Sequence, residues 1–133
     1  MFHPTISVIF PVHNEAQILS RQIDSFLAQL KITGIKLKEI ILIENGSQDN
    51  SWRIILNLHH RYRFIKPIRL PHASYGQALK AGLIQASSDF IFIFNVDFFD
   101  ISFINQSIGL LKTADIVIGS KTLAASQDLR SHF

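Results

Sequence analysis

The stretch Ile40-Ile41-Leu42-Ile43-Glu44-Asn45-Gly46-Ser47-Gln48-Asp49 decides the fold. Four consecutive aliphatic residues, most of them β-branched, suit a strand covered on both faces, where the alternation of apolar and polar residues is lost. The run ends on a carboxylate and turns through Gly-Ser, so a strand feeds directly into a polar loop. Working outward, Ile6 to Val12, Ile65 to Leu70 and Phe90 to Phe94 have the same character. Three of these strands run into polar residues, at Pro11-Val12-His13-Asn14-Glu15, Glu44 to Asp49, and Asn95-Val96-Asp97-Phe98-Phe99-Asp100. Ligands of open α/β sheets bind outside the carboxyl ends of the strands. The three exits therefore gather carboxylates, amides and a hydroxyl at one edge, a combination suited to a nucleotide and a divalent metal.

Amphipathic segments alternate with the strands, which implies βαβ units around a parallel sheet. Ile18, Leu19, Ile23, Phe26, Leu27 and Leu30 recur at helical spacing, with Asn14 expected as N-cap and an end near Thr33-Gly34. A second helix is expected from about Asn50, carrying Trp52, Ile55, Leu56 and Leu58. Pro67 predicts an edge position or a bulge for the third strand. From Tyr75 to Ala86, the residues Ala78, Leu79, Gly82, Leu83 and Ala86 form one helical face whose small members permit close packing. Phe90 to Phe94 is expected to be central in the sheet. A helix over Phe103 to Leu111 and a strand over Ile116 to Ile118 complete the pattern.

Composition limits the alternatives. A chain of 133 residues with 47% hydrophobic residues and eleven Phe is expected to fold as one domain over residues 1–133 with a real core. No apolar run reaches the ~20 residues of a membrane span, and Met1-Phe2-His3-Pro4 does not resemble a signal peptide. A soluble, cytoplasmic protein is expected. Cysteine is absent, which excludes thiolate chemistry and thiolate metal sites. The net charge of +3 is mild. Its densest cluster, His59-His60-Arg61-Tyr62-Arg63 with Lys66 and Arg69, reads as a solvated helix end, with anionic lipid or RNA as the other reading.

Each exit has a chemical and a purely structural reading. Asn95 and Asp97 stand two apart, so an extended segment would project both to one side, and their oxygens suit Mg²⁺ or Mn²⁺ sharing phosphate oxygens with a substrate. The structural alternative is a turn that bonds its own backbone. Asp100 reads as a second ligand or as the cap of the next helix. Glu44 can accept hydrogen bonds from a base or ribose while Gly46 allows close backbone approach; Ser47 or Asp49 capping the second helix is compatible with this. Pro11 to Glu15 offers backbone groups for a base edge and one carboxylate, or simply a strand exit followed by a cap.

Several familiar centres are missing. No Gly-x-Gly-x-x-Gly pattern, Gly-Lys-Ser/Thr loop, His-x-x-x-His pair or Gly-x-Ser-x-Gly elbow occurs. Dinucleotide oxidoreductases, P-loop enzymes, zinc centres and serine hydrolases are disfavoured.

In this order the segments resemble the nucleotide-sugar half of inverting family 2 glycosyltransferases, the group that includes dolichyl-phosphate mannose synthases. Ser7 to Glu15 is similar to the family's opening strand and Pro-x-x-Asn-Glu turn, and Ile41 to Asp49 to its Asp-Asp-Gly-Ser-x-Asp segment with Glu-Asn in place of Asp-Asp. Gly76 to Gly82 with Ala86 and Asp89 follows the helix before the metal strand. Asn95-Val96-Asp97 occupies the Asp-x-Asp position, and Ile118-Gly119-Ser120-Lys121 the Gly-Ser-Arg position.

The resemblance implies an α/β, Rossmann-like GT-A fold, with a mostly parallel sheet, helices on both faces and the C-terminal side truncated. It implies transfer of a sugar from a UDP- or GDP-activated donor to a lipid, sugar or protein acceptor, in cell-envelope polysaccharide or glycolipid synthesis. Pro11, Val12, Glu15, Glu44 and Asn45 would hold base and ribose, Asn95 would lie beside the diphosphate or sugar, Asp97 would bind Mg²⁺ or Mn²⁺, and Lys121 would replace a donor-contacting arginine. The general base that such enzymes carry in an acceptor half is not identifiable before Phe133. The expectation is therefore a donor-binding half, catalytic or acting as a nucleotide-sugar-binding regulatory module, or a fragment of a split enzyme. Peripheral association with the cytoplasmic face of a membrane, or a partner chain supplying the other half, belongs to the same expectation; a nucleic-acid partner does not.

Overall fold

A computed structural model describes residues 3–120. The chain divides into two compact units, residues 1–101 and 102–133. The first unit contains β1 (Thr5–Val12), α1 (Leu19–Thr33), β2 (Lys36–Asn45), α2 (Ser51–Arg61), β3 (Ile65–Leu70), α3 (Tyr75–Gln85) and β4 (Phe90–Ile93). All strand pairs are parallel, and the order is β3-β2-β1-β4.

This order follows from the burial pattern. In β1 and β2, Ile6, Val8, Ile9, Phe10 and Ile40 to Ile43 have essentially no exposed surface, so both strands need cover on both faces and sit in the middle. On one face, Ile9, Ile41, Ile43 and Ala78 form a core against α3. A Cβ on Gly82 would stand 2.8 Å from atoms of Ile43 and Ile9, so only glycine lets the helix lie this close. On the other face Phe26 of α1 meets Phe10 edge-to-face at 5.4 Å and Phe99 at 5.3 Å, a geometry that aromatic quadrupoles favour.

Most element expectations hold, and the differences have physical causes. Gly34 closes α1 in the left-handed conformation, φ +73. β3 ends the described sheet on one side, where Pro67 needs no ladder donor. β4 ends it on the other side instead of lying at its centre: Ile91 and Ile93 remain substantially exposed on the face that α3 covers over β1 and β2. Leu83 is 47% exposed, so the packed face of α3 is narrower than the sequence pattern suggests. Asn14 does not cap α1. A turn through Glu15 intervenes, Ile18 takes the cap position, and the Asn14 side chain bonds elsewhere.

At the amino ends of the strands, Glu39 is buried and its Oε1 accepts from Ser7 Oγ (2.7 Å), Ser87 N (2.8 Å) and Ser87 Oγ (3.0 Å). Beside it, Asp89 accepts from Thr5 N at 2.8 Å and from Thr5 Oγ1 at 3.0 Å. These bonds tie β1, β2 and the entry to β4 together at the end of the sheet away from the candidate site.

In the second unit, α4 (Ile101–Leu110), which starts on the last residue of the first unit, ends in a turn where Leu110 O receives the amides of Thr113 and Ala114. Residues 116–118 form neither strand nor helix, contrary to the expected last strand, and Ile116 and Ile118 are exposed. Lys121 lies outside the described residues. Among those residues no helix is long and apolar enough to cross a membrane.

Candidate functional site at the carboxyl edge of the sheet

The chain runs outward from β1 through β2 to β3, then returns to place β4 on the far side of β1. In open α/β sheets the crevice at such a reversal is the usual ligand position. Here the β1 exit carries Glu15, and the β4 exit carries Asn95 and Asp97.

Asn95 to Phe98 is a tight turn, not the extended segment expected from the two-residue spacing. Asn95 O accepts from Phe98 N at 3.2 Å, and Gln22 of α1 fixes the turn by donating to Val96 O at 2.9 Å. Asp97 is exposed at its tip. Its negative charge nevertheless reaches Glu15: burial raises the Glu15 carboxyl above its ordinary value, the charges of Asp97 and Asp49 raise it further, and His13 opposes them. The structure thus brings Asp49 and Asp97 each within electrostatic range of Glu15. Among the described residues no group of three His, Asp or Glu forms a ready-made cation cage. One exposed carboxylate with an amide beside it fits the way Mg²⁺ and Mn²⁺ are commonly held, by one or two protein oxygens with water and phosphate completing the shell.

The β2 exit forms an open pocket of about 420 Å³ lined by Glu44, Gly46, Ser47, Arg69, Leu70 and Pro71. Glu44 is nearly buried, 2% exposed at the side chain. Its Oε1 accepts from Ser47 N, and its Oε2 lies 3.4 Å from Arg69 Nε. Arg69 is 57% exposed, and its guanidinium carbon stands 5.3 Å from the centre of the Trp52 ring, a cation–π arrangement. A buried acceptor beside an accessible cation can read a polar heterocycle edge or hold an anionic group.

Asn45 is 7% exposed, and its Oδ1 accepts from Ser74 N at 2.7 Å, so its amide oxygen braces the β3–α3 loop. Val12 has no exposed surface, and Pro11 beside it is half-buried. Gly46 has φ +67, and a Cβ there would lie 2.5 Å from Ala73 N. The close approach that needs glycine is thus to the chain's own β3–α3 loop.

Sequence reading assigned Arg69 to a solvated cationic cluster and gave Trp52 only a helical core role. A signal for Arg69 was present: pairing the first apolar residues of the two runs, Ile40 and Ile65, brings Glu44 opposite Arg69, as the observed register does.

The chain matches the description Glycosyl transferase family 2 over residues 7–124. It belongs to that family. A probable glycosyltransferase of Bacillus subtilis is 31% identical over 98 residues, covering 71% of this chain and 23% of that protein. A dolichyl-phosphate beta-glucosyltransferase of Trichomonas vaginalis is 28% identical over 128 residues, covering 87% and 40%. The chain thus spans less than half the length of these relatives. Among solved structures, a mannosyltransferase from Pyrobaculum calidifontis in complex with GDP-Man and Mn²⁺ superposes with a TM-score of 0.62 at 19% identity, covering 73% of this chain and 28% of that one. This likeness supports the GT-A fold.

Proposed function

We propose that this chain is the donor-binding part of an inverting glycosyltransferase that takes a UDP- or GDP-activated sugar at the carboxyl edge of its sheet. The observation that carries the reading is the Glu44–Arg69 pocket standing on the same edge as the Glu15 and Asp97 carboxylates. Glu44 and Arg69 would address the base, Pro11 with Glu15 the base and ribose, and the buried Val12 and Asn45 would hold the two loops beneath them. Asn95 and Asp97 would meet the diphosphate or sugar, and Lys121 would add a cation to it.

Asp97 would hold Mg²⁺ or Mn²⁺, whose charge would offset that of a departing nucleoside diphosphate. The chain's own contribution is to orient the donor and to stabilise the leaving group. The proton acceptor for an incoming hydroxyl is assigned to no residue here. Relatives named for dolichyl phosphate support a lipid-phosphate acceptor, which would bring this chain to a membrane surface.

The test is a calorimetric titration with UDP, GDP and their common sugar conjugates, with and without Mn²⁺, comparing the native chain with Asp97→Ala. Metal-dependent binding that the variant loses is expected. A folded native chain that binds no nucleotide under any of these conditions would overturn the reading.

A further inference from the structure

The loops after β1 and β2 exchange hydrogen bonds in both directions, and Asn14 is the hinge of that exchange. Its backbone lies in the left-handed region, φ +52, alone among the non-glycine residues described. Asn tolerates this region better than most side chains but gains little from it locally, so the surroundings must hold it there. They do so with three contacts. Asn14 N donates to Ser47 Oγ at 2.9 Å, Asn14 Oδ1 accepts from Gln48 N at 2.8 Å, and Asn14 Nδ2 lies 3.2 Å from His13 Nε2. His13 Nδ1 in turn donates to Asn45 O at 2.7 Å, since a carbonyl can only accept. With Nδ1 turned to that carbonyl, Nε2 is the ring nitrogen that faces the Asn14 amide.

The next residues continue the seam. Glu15 N donates to Ser51 Oγ at 3.0 Å, Ala16 N to Asp49 Oδ2 at 3.1 Å, and Ser51 Oγ to Asp49 Oδ1 at 2.6 Å. From His13 to Ala16, every residue therefore bonds into the segment between Asn45 and Ser51. That segment carries the Gly46 and Ser47 wall of the pocket, and the partner segment carries Glu15.

We infer that Asn14 is a positioning residue that welds the two loops into one preformed rim, holding Glu15 and the Glu44–Ser47 turn in their binding arrangement before any ligand arrives. This rests on the donor-site reading above. A preformed rim spares the ligand the entropy of ordering two loops, which otherwise weakens binding.

The experiment combines residue-resolved amide exchange with titration of UDP and GDP in Mn²⁺, on the native chain, Asn14→Gly and Asn14→Asp. Glycine accepts the backbone angle and removes the side-chain bonds. Aspartate keeps the oxygen that receives Gln48 N. In the native chain without nucleotide, the Gln48 amide is expected to be protected, and nucleotide adds little to that protection. In Asn14→Gly the amide should exchange rapidly, nucleotide should restore much of the protection, and affinity should fall roughly tenfold. Asn14→Asp should recover the Gln48 protection.

A Gln48 amide unprotected in the free native chain would overturn the proposal, as would Asn14→Gly binding nucleotide as tightly as the native chain. Should Asn14→Gly fail to fold, the native and Asn14→Asp exchange profiles still decide. Absence of nucleotide binding by the native chain would remove the donor-site reading and the positioning role with it, a result distinct from loss of the latch because the exchange measurement is made without ligand.

Discussion

Replacing Gly46 by alanine should damage this protein much more than replacing Gly34, although both glycines have nearly the same backbone angle. Gly34 has φ +73 and nothing within 4 Å of an added Cβ. Gly34→Ala therefore isolates the penalty of a left-handed alanine, about 1–2 kcal/mol. At Gly46, φ is +67, and the new Cβ would lie 2.5 Å from Ala73 N, 2.9 Å from its Cα and 3.0 Å from its Cβ. Two of these neighbours are backbone and cannot rotate away, so the loop must shift, adding about 1–3 kcal/mol of overpacking. The total of about 2–5 kcal/mol is a large share of the ~5–15 kcal/mol that holds a typical domain. Urea unfolding of both variants reads the difference directly, since both carry the same angular term. The shift also moves Ser47 and the Glu44 turn, so Gly46→Ala should lose nucleotide affinity while Gly34→Ala, at the far end of α1, keeps it. Equal destabilisation of the two variants would refute the packing argument.

Other perturbations separate the framework from the site. Glu39→Ala removes three bonds from one buried oxygen and should cost about 2–4 kcal/mol at neutral pH by chemical denaturation. Burial pushes the Glu39 carboxyl up, but the bonds from Ser7 and Ser87 outweigh it and hold the value below 4.5. A depressed folded value means that the charged form's contribution is complete above about pH 4.5 and is lost as pH falls through the folded value. The stability gap between the native chain and Glu39→Gln should close in that acid window, and a gap independent of pH would contradict it. Glu15 has the opposite sign: burial, with Asp97 and Asp49 behind it, raises its folded value above 4.5. The native chain should therefore gain stability as pH falls from the raised value towards 4.5, and Glu15→Gln should be the more stable protein at pH 7 but not below pH 4.5 in thermal melts. Arg69→Ala leaves Glu44 bonded to Ser47 N and should cost only about 1 kcal/mol of stability. It should still weaken UDP or GDP binding roughly tenfold in calorimetry, the equivalent of one charged contact.

The elements were legible because their signals are local. Apolar runs gave β1 to β4 within a few residues, and Gly34, Pro67, Ala78 and Gly82 were read for the roles they have. Sheet order was not legible in the same way. Phe90 to Phe94 reads as a buried strand because Phe and Ile are bulky and apolar, yet Ile91 and Ile93 stay exposed because β4 lies at the end of the described sheet, beyond the strands that α3 covers. At the site, residue types pointed to Glu15, Glu44 and Asp97 through spacing and resemblance. Conformation did not follow from spacing, since the backbone bond from Phe98 to Asn95 turns a segment that alternation alone would draw as extended. Arg69 and the bonds of Asn14 went unread for a related reason. Both depend on which loop lies beside which, and that is settled only once the parallel register is known.

The sheet order also gives the site an assembly history. β1 meets β2 through a connection starting from the pair Thr5 and Lys36, whereas β1 meets β4 only from Ile6 and Phe90, a loop nearly three times as long. Loop-closure entropy makes the second contact about 0.9 kcal/mol harder to form than the first. The Glu44–Arg69 pocket thus belongs to the part of the chain that can condense from short-range contacts, while Asp97 joins only when the long loop closes. A nascent or partly unfolded chain could carry the Glu44–Arg69 pocket without Asp97, so on the proposed reading the two parts of the donor site would mature at different stages of folding.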